Sequence, residues 1–585
     1  MRSLRGWPAC PGLLLVAALL AAPVAALEVE IGVNFTAGDL YQSGFIPPDS
    51  QLAVGEDHLV ELLNGRYAVY RKSDGLLVES SSLYEFWTNA GVPVFDPFDP
   101  RILYDARVRR WFAVSAEFPY HVLVAVSHTA DPTQGWSGFA ILTDSSGSVW
   151  TDFPMLGLDD DSLQVTANMF TFADTFAAAS ALVIPKADLV SPTPTVANAT
   201  IFERISQLGF TPQPVVDLDG TGASGILLSD FSLFGFVVRT DVVGDPYAPA
   251  LVGPTLLPVQ PFGPPPPAPQ PGPKPGLETG QVLAQFESAP VLRGGSIWAV
   301  GNVDAGGRAA LRWLEIDADT NQILQTGVLT HPELALYYGS IAVNEHGHVV
   351  IGCSGSSETQ FVSSYAVVGE TQGGVTTFGE PILLKAGVAD YEIGFPRNRW
   401  GDYSATVVDP SDSRVFWTIQ EFVLAEDVWA TQITELRLVD EIEVAIDVKP
   451  GSATNPVNLR SRGVLPVALL GSASFLVADV DASTLVFGPS AASPSGDPAF
   501  EDVNADGFVD LVLHFRTLET GIAVGDTQAC LIGATLGGRD FRGCDAVRVV
   551  RASCGLGFEI AFALGPLVWL GARRARGARA ARSAA

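Results

Sequence analysis

The sequence predicts an all-β chain. A β-propeller of about seven blades (27–441) and a small β-sandwich (442–552) lie between an N-terminal signal peptide (1–26) and a tail with a C-terminal hydrophobic helix (553–585). Three observations lead there. Short Val, Ile, Leu, Phe and Trp runs alternate with small or polar residues and are punctuated by Gly, Asp, Asn and Pro, while long helical periodicity is scarce. One pattern, an apolar strand, a turn of Asp, Gly or Asn and a second apolar strand, starts at Ser50, Arg101, Pro154, Pro214, Pro290, Gly339 and Asp402, at intervals of 51, 53, 60, 76, 49 and 63 residues. That is the period of a four-stranded blade whose two inner strands carry the pattern, with six or eight blades as the neighbouring counts. The texture then changes at "IEVAIDVKPGSATNPVNLRSRGVLPVALLGS", which opens a segment of sandwich length.

Each element has its own local reason. Arg2 and Arg5 precede the apolar run Leu13 to Leu20, and Val24-Ala25-Ala26 are small enough for a signal-peptidase cut after Ala26. The widest interval between repeats contains "PFGPPPPAPQPGPKPG", Pro261 to Gly276. It lacks many amide donors and favours polyproline II, so 259–280 is expected to be an exposed loop inserted between blades four and five, or else a linker. In the sandwich, "DVNADGFVD" alternates Asp502, Asn504 and Asp506, has Gly507 for a tight turn, and adds the Phe508 carbonyl and Asp510. Such oxygens suit calcium, a hard cation, and without it their charges repel; a plain polar hairpin is the alternative.

Cys530 and Cys544 are close enough in one folded region to suggest a disulfide, which export permits; two buried thiols are the alternative. The tail carries Cys554, an apolar run to Ala572, then Arg573, Arg574, Arg576, Arg579 and Arg582. The stretch from Gly555 to Ala572 makes about 27 Å of helix, barely one hydrocarbon thickness, and the arginines would hold its end in the cytoplasm.

The formal net charge is −30, and the body between leader and tail is more acidic still, because seven arginines lie in those ends against the single acid Glu559. Such a chain repels phosphate backbones, which excludes nucleic acid as a partner class. No zinc spacing, phosphate loop or serine nucleophile elbow is present, so no catalytic residue is assigned.

In a propeller, residues just ahead of the innermost strands gather around one mouth of the central channel. Here they are Asp49, Asp99, Arg101, Asp152, Arg399 and Asp402. This ring of mixed charge is read either as a binding site for a glycan, a peptide or a cation, or as an ion-pair network that fastens the blades together. By contrast Asp159 to Asp161 and Asp217 with Asp219 fall where the repeat demands a turn, and turn chemistry explains them.

The stretches "PPDSQLAVGEDHLVELLNGRYAVYRKSDG", "FDPRILYDARVRRWFAV", "VAVSHTADPTQGW" and "NRWGDYSATVVDP" resemble secreted bacterial β-propellers of the sialidase-like superfamily, over roughly 45–440. Within them Ser127, Asp131, Gly135 and Trp136 look like a degenerate Asp-box that ties a strand turn against a buried indole. "IDVKPGS", "RSRGVLPVALLG" and "EDVNADGFVDLVLHF" are similar to a C-terminal β-sandwich module of exported bacterial proteins. The tail resembles sorting signals of PEP-CTERM and MYXO-CTERM type, without a Pro-Glu-Pro motif.

These resemblances imply an exported protein, held at the inner membrane by its tail while a sorting protease or transpeptidase processes it at Cys554, and then placed at the cell surface or outside. A permanent single-pass anchor is the alternative. The expected work is binding of a glycan or protein ligand, or surface architecture; a glycan-processing hydrolase of sialidase-like type is the second reading.

Overall fold

The computed structural model describes residues 27–220, 225–280, 285–394, 396–439, 442–472, 475–536 and 539–550. Leu27–Val439 form one compact unit, and the chain from Asp440 onward belongs to another. The expectations at Ala26, at Cys554 and across the leader and tail fall outside the described residues.

The first unit is a seven-bladed propeller. Blade one is Gln51–Val54, His58–Leu63, Arg66–Arg71 and Leu77–Ser81; blade two is Pro97–Asp105, Arg110–Glu117, His121–Ser127 and Trp136–Leu142. Blade three runs Val149–Leu158, Ser162–Thr171, Phe176–Pro185 and Thr200–Ile205, and blade four Gln213–Pro214, Gly225–Phe231, Phe236–Val243 and Ala250–Pro258. Blade five is Val291–Arg293, Ser296–Asp304, Ala309–Asp317 and Ile323–Leu329; blade six begins with Ala335–Val343, His348–Ser356 and Ser363–Gln372. Blade seven joins Ala405–Val408, Val415–Ala425 and Val428–Val439 to Glu28–Asp39 from the start of the propeller, in antiparallel register Ile31↔Leu436 and Thr36↔Gln432. Strands from both ends of the propeller thus share one sheet, which latches the ring.

Closure is visible along the axis. Gln51–Val54 touches the innermost strands of blades two and seven, and the other innermost strands touch their neighbours around the circle, with Val216–Asp217 making the link from blade four to blade five. Between blades three and five the contact becomes hydrogen bonding: Val216–Asp217 pairs in parallel with Leu158 on one side and with Val291 and Leu292 on the other. Without such neighbours no blade could bury both faces of its sheet, so the ring supplies the core that a single repeat lacks. Indoles fill the gaps: Trp87, Trp111 and Trp136 lie between blades one and two, and Trp298 stacks on Trp313 at 6.0 Å. The degenerate box works as a tie, because the Trp136 Nε1–H donates to the Pro132 carbonyl at 2.9 Å while Asp131 caps the short turn ahead of it.

The Pro-rich segment departs from its expectation of an exposed loop. Ala268 and Leu277 are fully buried, bridge one another, and share an apolar cluster with Tyr391 and Trp400. Gln270 exchanges two 2.8 Å hydrogen bonds with the Tyr391 backbone, Asn398 Nδ2 donates to the Pro275 carbonyl at 3.2 Å, and Lys274 pairs with Asp390, Glu426 and Asp427. A proline-rich strand has few N–H groups to satisfy, so it can be strapped down by side-chain amides acting on its carbonyls. The strap leaves blade four, packs on the segment that precedes blade seven, and returns to blade five.

The second unit is a sandwich. One sheet has the order Ile442–Glu443, Asp540–Ala546, Gln528–Thr535, Val480–Phe487, and the other Ile446–Val448, Val464–Leu469, Asp510–Arg516, Ala499–Glu501. Alternate residues of both, among them Val467, Phe487, Leu513, Phe515, Leu531 and Phe541, form its core. Cys530 lies directly opposite Cys544 on neighbouring strands, and the two form a disulfide.

Candidate functional site

The channel mouth is built by one backbone device used repeatedly. Asp49, Asp99, Phe153, Thr211 and Tyr338 have φ of 52°, 52°, 49°, 46° and 52°, each two residues ahead of Gln51, Arg101, Met155, Gln213 and Ser340, where regular pairing in the innermost strand begins or resumes. A left-handed turn at a non-glycine residue costs roughly 1–2 kcal/mol. It re-aims the side chain as a bulge does, so that the residue at the turn faces its counterparts in the neighbouring blades.

Those turns are stitched blade to blade. The Asp402 N–H of blade seven donates to Asp49 Oδ1 at 3.1 Å, and Asn64 Nδ2 donates to Asp49 Oδ2 at 2.7 Å. Asn64 Oδ1 accepts the Asp99 N–H at 2.7 Å, Asp99 Oδ2 accepts the Phe153 N–H at 3.2 Å, and Asn168 Oδ1 accepts the Thr211 N–H at 2.9 Å. Part of the predicted ring therefore does fasten blades. The pattern of asparagine on a second strand and a left-handed residue in the next blade had no sequence signal, because its partners are 35 and 43 residues apart.

Behind these bonds the mouth opens into a cavity of about 510 Å3 lined by Asp49, Asp99, Asp152, Arg399 and Asp402, five of the six predicted residues. Arg397 joins them, and Trp150, Phe170 and Phe210 form an aromatic wall that sequence reasoning missed. Glu278, brought by the proline strap, pairs with Arg397 at 2.7 Å and Arg399 at 3.3 Å, while Arg399 Nη2 donates to Asp402 at 3.2 Å.

Arg101 is the exception. Only 4% exposed, it turns down the axis instead of lining the mouth: its guanidinium lies 3.2 Å from the centre of the Tyr403 ring and 5.0 Å from that of Phe153. It donates to the carbonyls of Pro154 and Glu287, each at 3.2 Å, so it is a strut joining blades two, three and seven to the start of blade five. With Phe153, Met155 and Tyr403 it plugs the channel. Below the plug a second cavity, about 470 Å3 and largely apolar, is lined by the innermost strands of six blades and by Val216–Asp217, which follows that of blade four.

The mouth is electrostatically crowded. Burial pushes the Asp49 carboxyl well above the usual range, and Asp402 and Asp99 add to the shift. Asp152 is raised in the same way, by burial and then by Asp99 and Asp402. Asp99 is raised by burial, against the hydrogen bond that Asp49 supplies and the Arg101 charge. Asp402 is pushed up to about 7 by burial, with Arg399 opposing. Burial thus raises all four carboxyls together, and Arg399 opposes the shift at Asp402.

In the sandwich, Asp502 Oδ1 and Asn504 Oδ1 both accept the Asp506 N–H, at 3.2 and 3.1 Å, and Asp502 Oδ2 accepts the Gly507 N–H at 3.1 Å. Asp510 Oδ2 accepts the Val503 N–H at 2.8 Å and Oδ1 the Gly471 N–H at 2.9 Å, which ties the loop to a neighbouring turn. Among the described residues no group of three or more acids, histidines or cysteines is arranged to hold a metal ion. Asp159 and Asp217 do turn work, each accepting two backbone N–H groups. Among the described residues no helix is long and apolar enough to cross a membrane.

No family model matches the chain, and no curated protein matches it. Solved structures with related backbones include an endo-arabinase from Bacteroides thetaiotaomicron, 14% identical, covering 48% of this chain and 96% of that one at a TM-score of 0.27. An α-L-arabinanase from Penicillium chrysogenum, complexed with arabinobiose, is 13% identical and covers 56% of this chain and 90% of that one at 0.32. Trypanosoma rangeli sialidase with the inhibitor DANA is 11% identical and covers 68% and 60% at 0.31. At these TM-scores the likenesses carry no argument about activity.

Proposed function

We propose that the propeller is a binding module of an exported protein and that its channel mouth holds a polyhydroxylated ligand, a saccharide. The observation that carries this reading is the 510 Å3 cavity lined both by the carboxyls of Asp49, Asp99, Asp152 and Asp402 with the guanidinium of Arg399 and by the rings of Trp150, Phe170 and Phe210. A sugar hydroxyl both donates and accepts, and so matches a mixed set of carboxyl and guanidinium groups better than a simple cation or anion does. The C–H face of a sugar packs on an aromatic ring. The expected result is retention on a glycan array by the native body, lost in Trp150→Ala with the melting temperature preserved. A protein that retains no glycan overturns the saccharide reading.

A second reading, hydrolysis of a glycan, is favoured by one feature, the Asp402 carboxyl near 7 among other acids, which suits general acid work. Its signature is product release that disappears in Asp402→Ala while the fold persists.

Calcium belongs to this proposal as a structural ion of the sandwich, held by Asp502, Asn504, Asp506, the Phe508 carbonyl and Asp510. The convergence of Asp502 and Asn504 on one amide supports it. Export, processing at Ala26 and Cys554, and passage through the inner membrane to the surface are likewise proposed from the leader and tail; intact mass of the native protein reads both termini.

A further inference from the structure

We infer that the ligand is an oligosaccharide chain that runs from the mouth cavity outward across a strip of aromatic rings on blades two, three and four. The inference rests on the saccharide reading and extends it to chain length. The strip begins in the cavity wall: Phe210 lies 5.1 Å from Phe176, Phe176 5.9 Å from Phe170, and Phe170 stacks on Trp150 at 5.4 Å and 29°. It continues beyond the cavity lining, with Phe118 5.9 Å from Trp150 and 6.5 Å from Phe172, and Tyr120 6.2 Å from Phe172.

The placement follows from register. Glu117 pairs with Pro97 and Thr171 with Val149, so the turns that carry Phe118, Tyr120 and Phe172 lie at the same end of blades two and three as Asp99 and Asp152. Phe118 and Phe172 are 51% and 54% exposed, an arrangement that leaves apolar area in water beside a polar cavity. The polar atoms of the strip are already used: Trp150 Nε1–H donates to the Thr171 carbonyl at 3.1 Å and the Tyr120 hydroxyl to the Gly147 carbonyl at 3.4 Å. The rings meet mostly edge to face, at 90° for Phe118 with Phe172 and 86° for Tyr120 with Phe172, so what remains for a ligand is the exposed ring carbon of Phe118 and Phe172 beside the cavity. Exposed ring carbon without a free hydrogen-bond donor packs against the C–H groups of a sugar ring but offers nothing to the backbone of a peptide.

The test uses the whole protein with cello-, xylo- and chito-oligosaccharide ladders of one to six residues, and hexalysine as the cationic peptide. Wild type is expected to gain at least tenfold in affinity from the shortest to the longest member of one ladder. Phe118→Ala with Phe172→Ala should lose roughly tenfold for the long members only, as expected for two stacking rings. Both positions are half-exposed, and an unchanged melting temperature certifies the fold. Length-independent binding of one ladder, or a length gain that survives in the double variant, overturns the strip while leaving the mouth reading in place, whereas preference for hexalysine counts against both. Failure of every ladder, the single sugars included, counts against the mouth reading itself and takes the strip with it.

Discussion

Replacing Glu421 with glutamine tests how completely the ring excludes water from its inner strands. Glu421 is 3% exposed on Val415–Ala425; its Oε1 accepts the Ser50 hydroxyl at 2.8 Å and its Oε2 has no hydrogen-bond partner. Burial pushes the carboxyl from the ordinary 4.5 up to about 8, the Ser50 bond opposing and the Asp402 charge adding. The folded value lies above the unfolded one, so the native state holds this proton more tightly. Its contribution is complete below pH 4.5 and is lost as the pH rises through about 8. Over that window one group changes stability by about 1.4 kcal/mol per pH unit, which at pH 7 amounts to roughly 3 kcal/mol relative to acid. Glutamine keeps the shape and the acceptor for Ser50 but does not titrate. The sandwich contains no tryptophan, so tryptophan fluorescence in urea follows the propeller. Wild type and Glu421→Gln should be equally stable at pH 4, and the variant more stable by about 3 kcal/mol at pH 7. Subtracting the two curves cancels the other raised acids. Curves that stay parallel from pH 4 to 8 would refute the claim that the inner strands are dry.

Three further outcomes are expected. Arg101→Ala should cost about 4 kcal/mol in urea unfolding, because it removes two charged hydrogen bonds and the stacking on Tyr403; a loss below about 1 kcal/mol would show that the plug is not a strut. Reducing Cys530–Cys544, which are 14 residues apart, should destabilise the sandwich by about 3 kcal/mol and leave the tryptophan transition unmoved. Chelation of calcium should lower the melting temperature of the sandwich endotherm in calorimetry of the whole chain, an effect that Asp502→Asn with Asp506→Asn should abolish; an unchanged endotherm removes calcium from the account.

Much of the architecture was legible because its signals are local. Each of the seven repeats carries its own turn and strand alternation, and the structure places one innermost strand at or near every predicted start. Five of the six mouth residues were found by position alone, since strand direction sends the residue ahead of each inner strand to the same end. Arg101 was misplaced for the same reason: lying two residues after Asp99 in sequence says nothing of the left-handed turn at Asp99 beyond which Arg101 packs on Tyr403. The proline segment was read from composition as exposed, yet its fate depended on partners more than 100 residues away, the Tyr391 carbonyl that accepts from Gln270 and the Asn398 amide that donates to the Pro275 carbonyl.

The sequence by itself determined the class of element, the repeating strand-turn-strand pattern and the acidity of the body, because periodicity, turn chemistry and charge are properties of neighbouring residues. Only the tertiary structure decided which acids line one cavity, which guanidinium is a strut, and that rings from blades two, three and four lie in contact with one another. Those facts depend on distances across the ring, and no distance across the ring exists until all seven sheets have closed on one another.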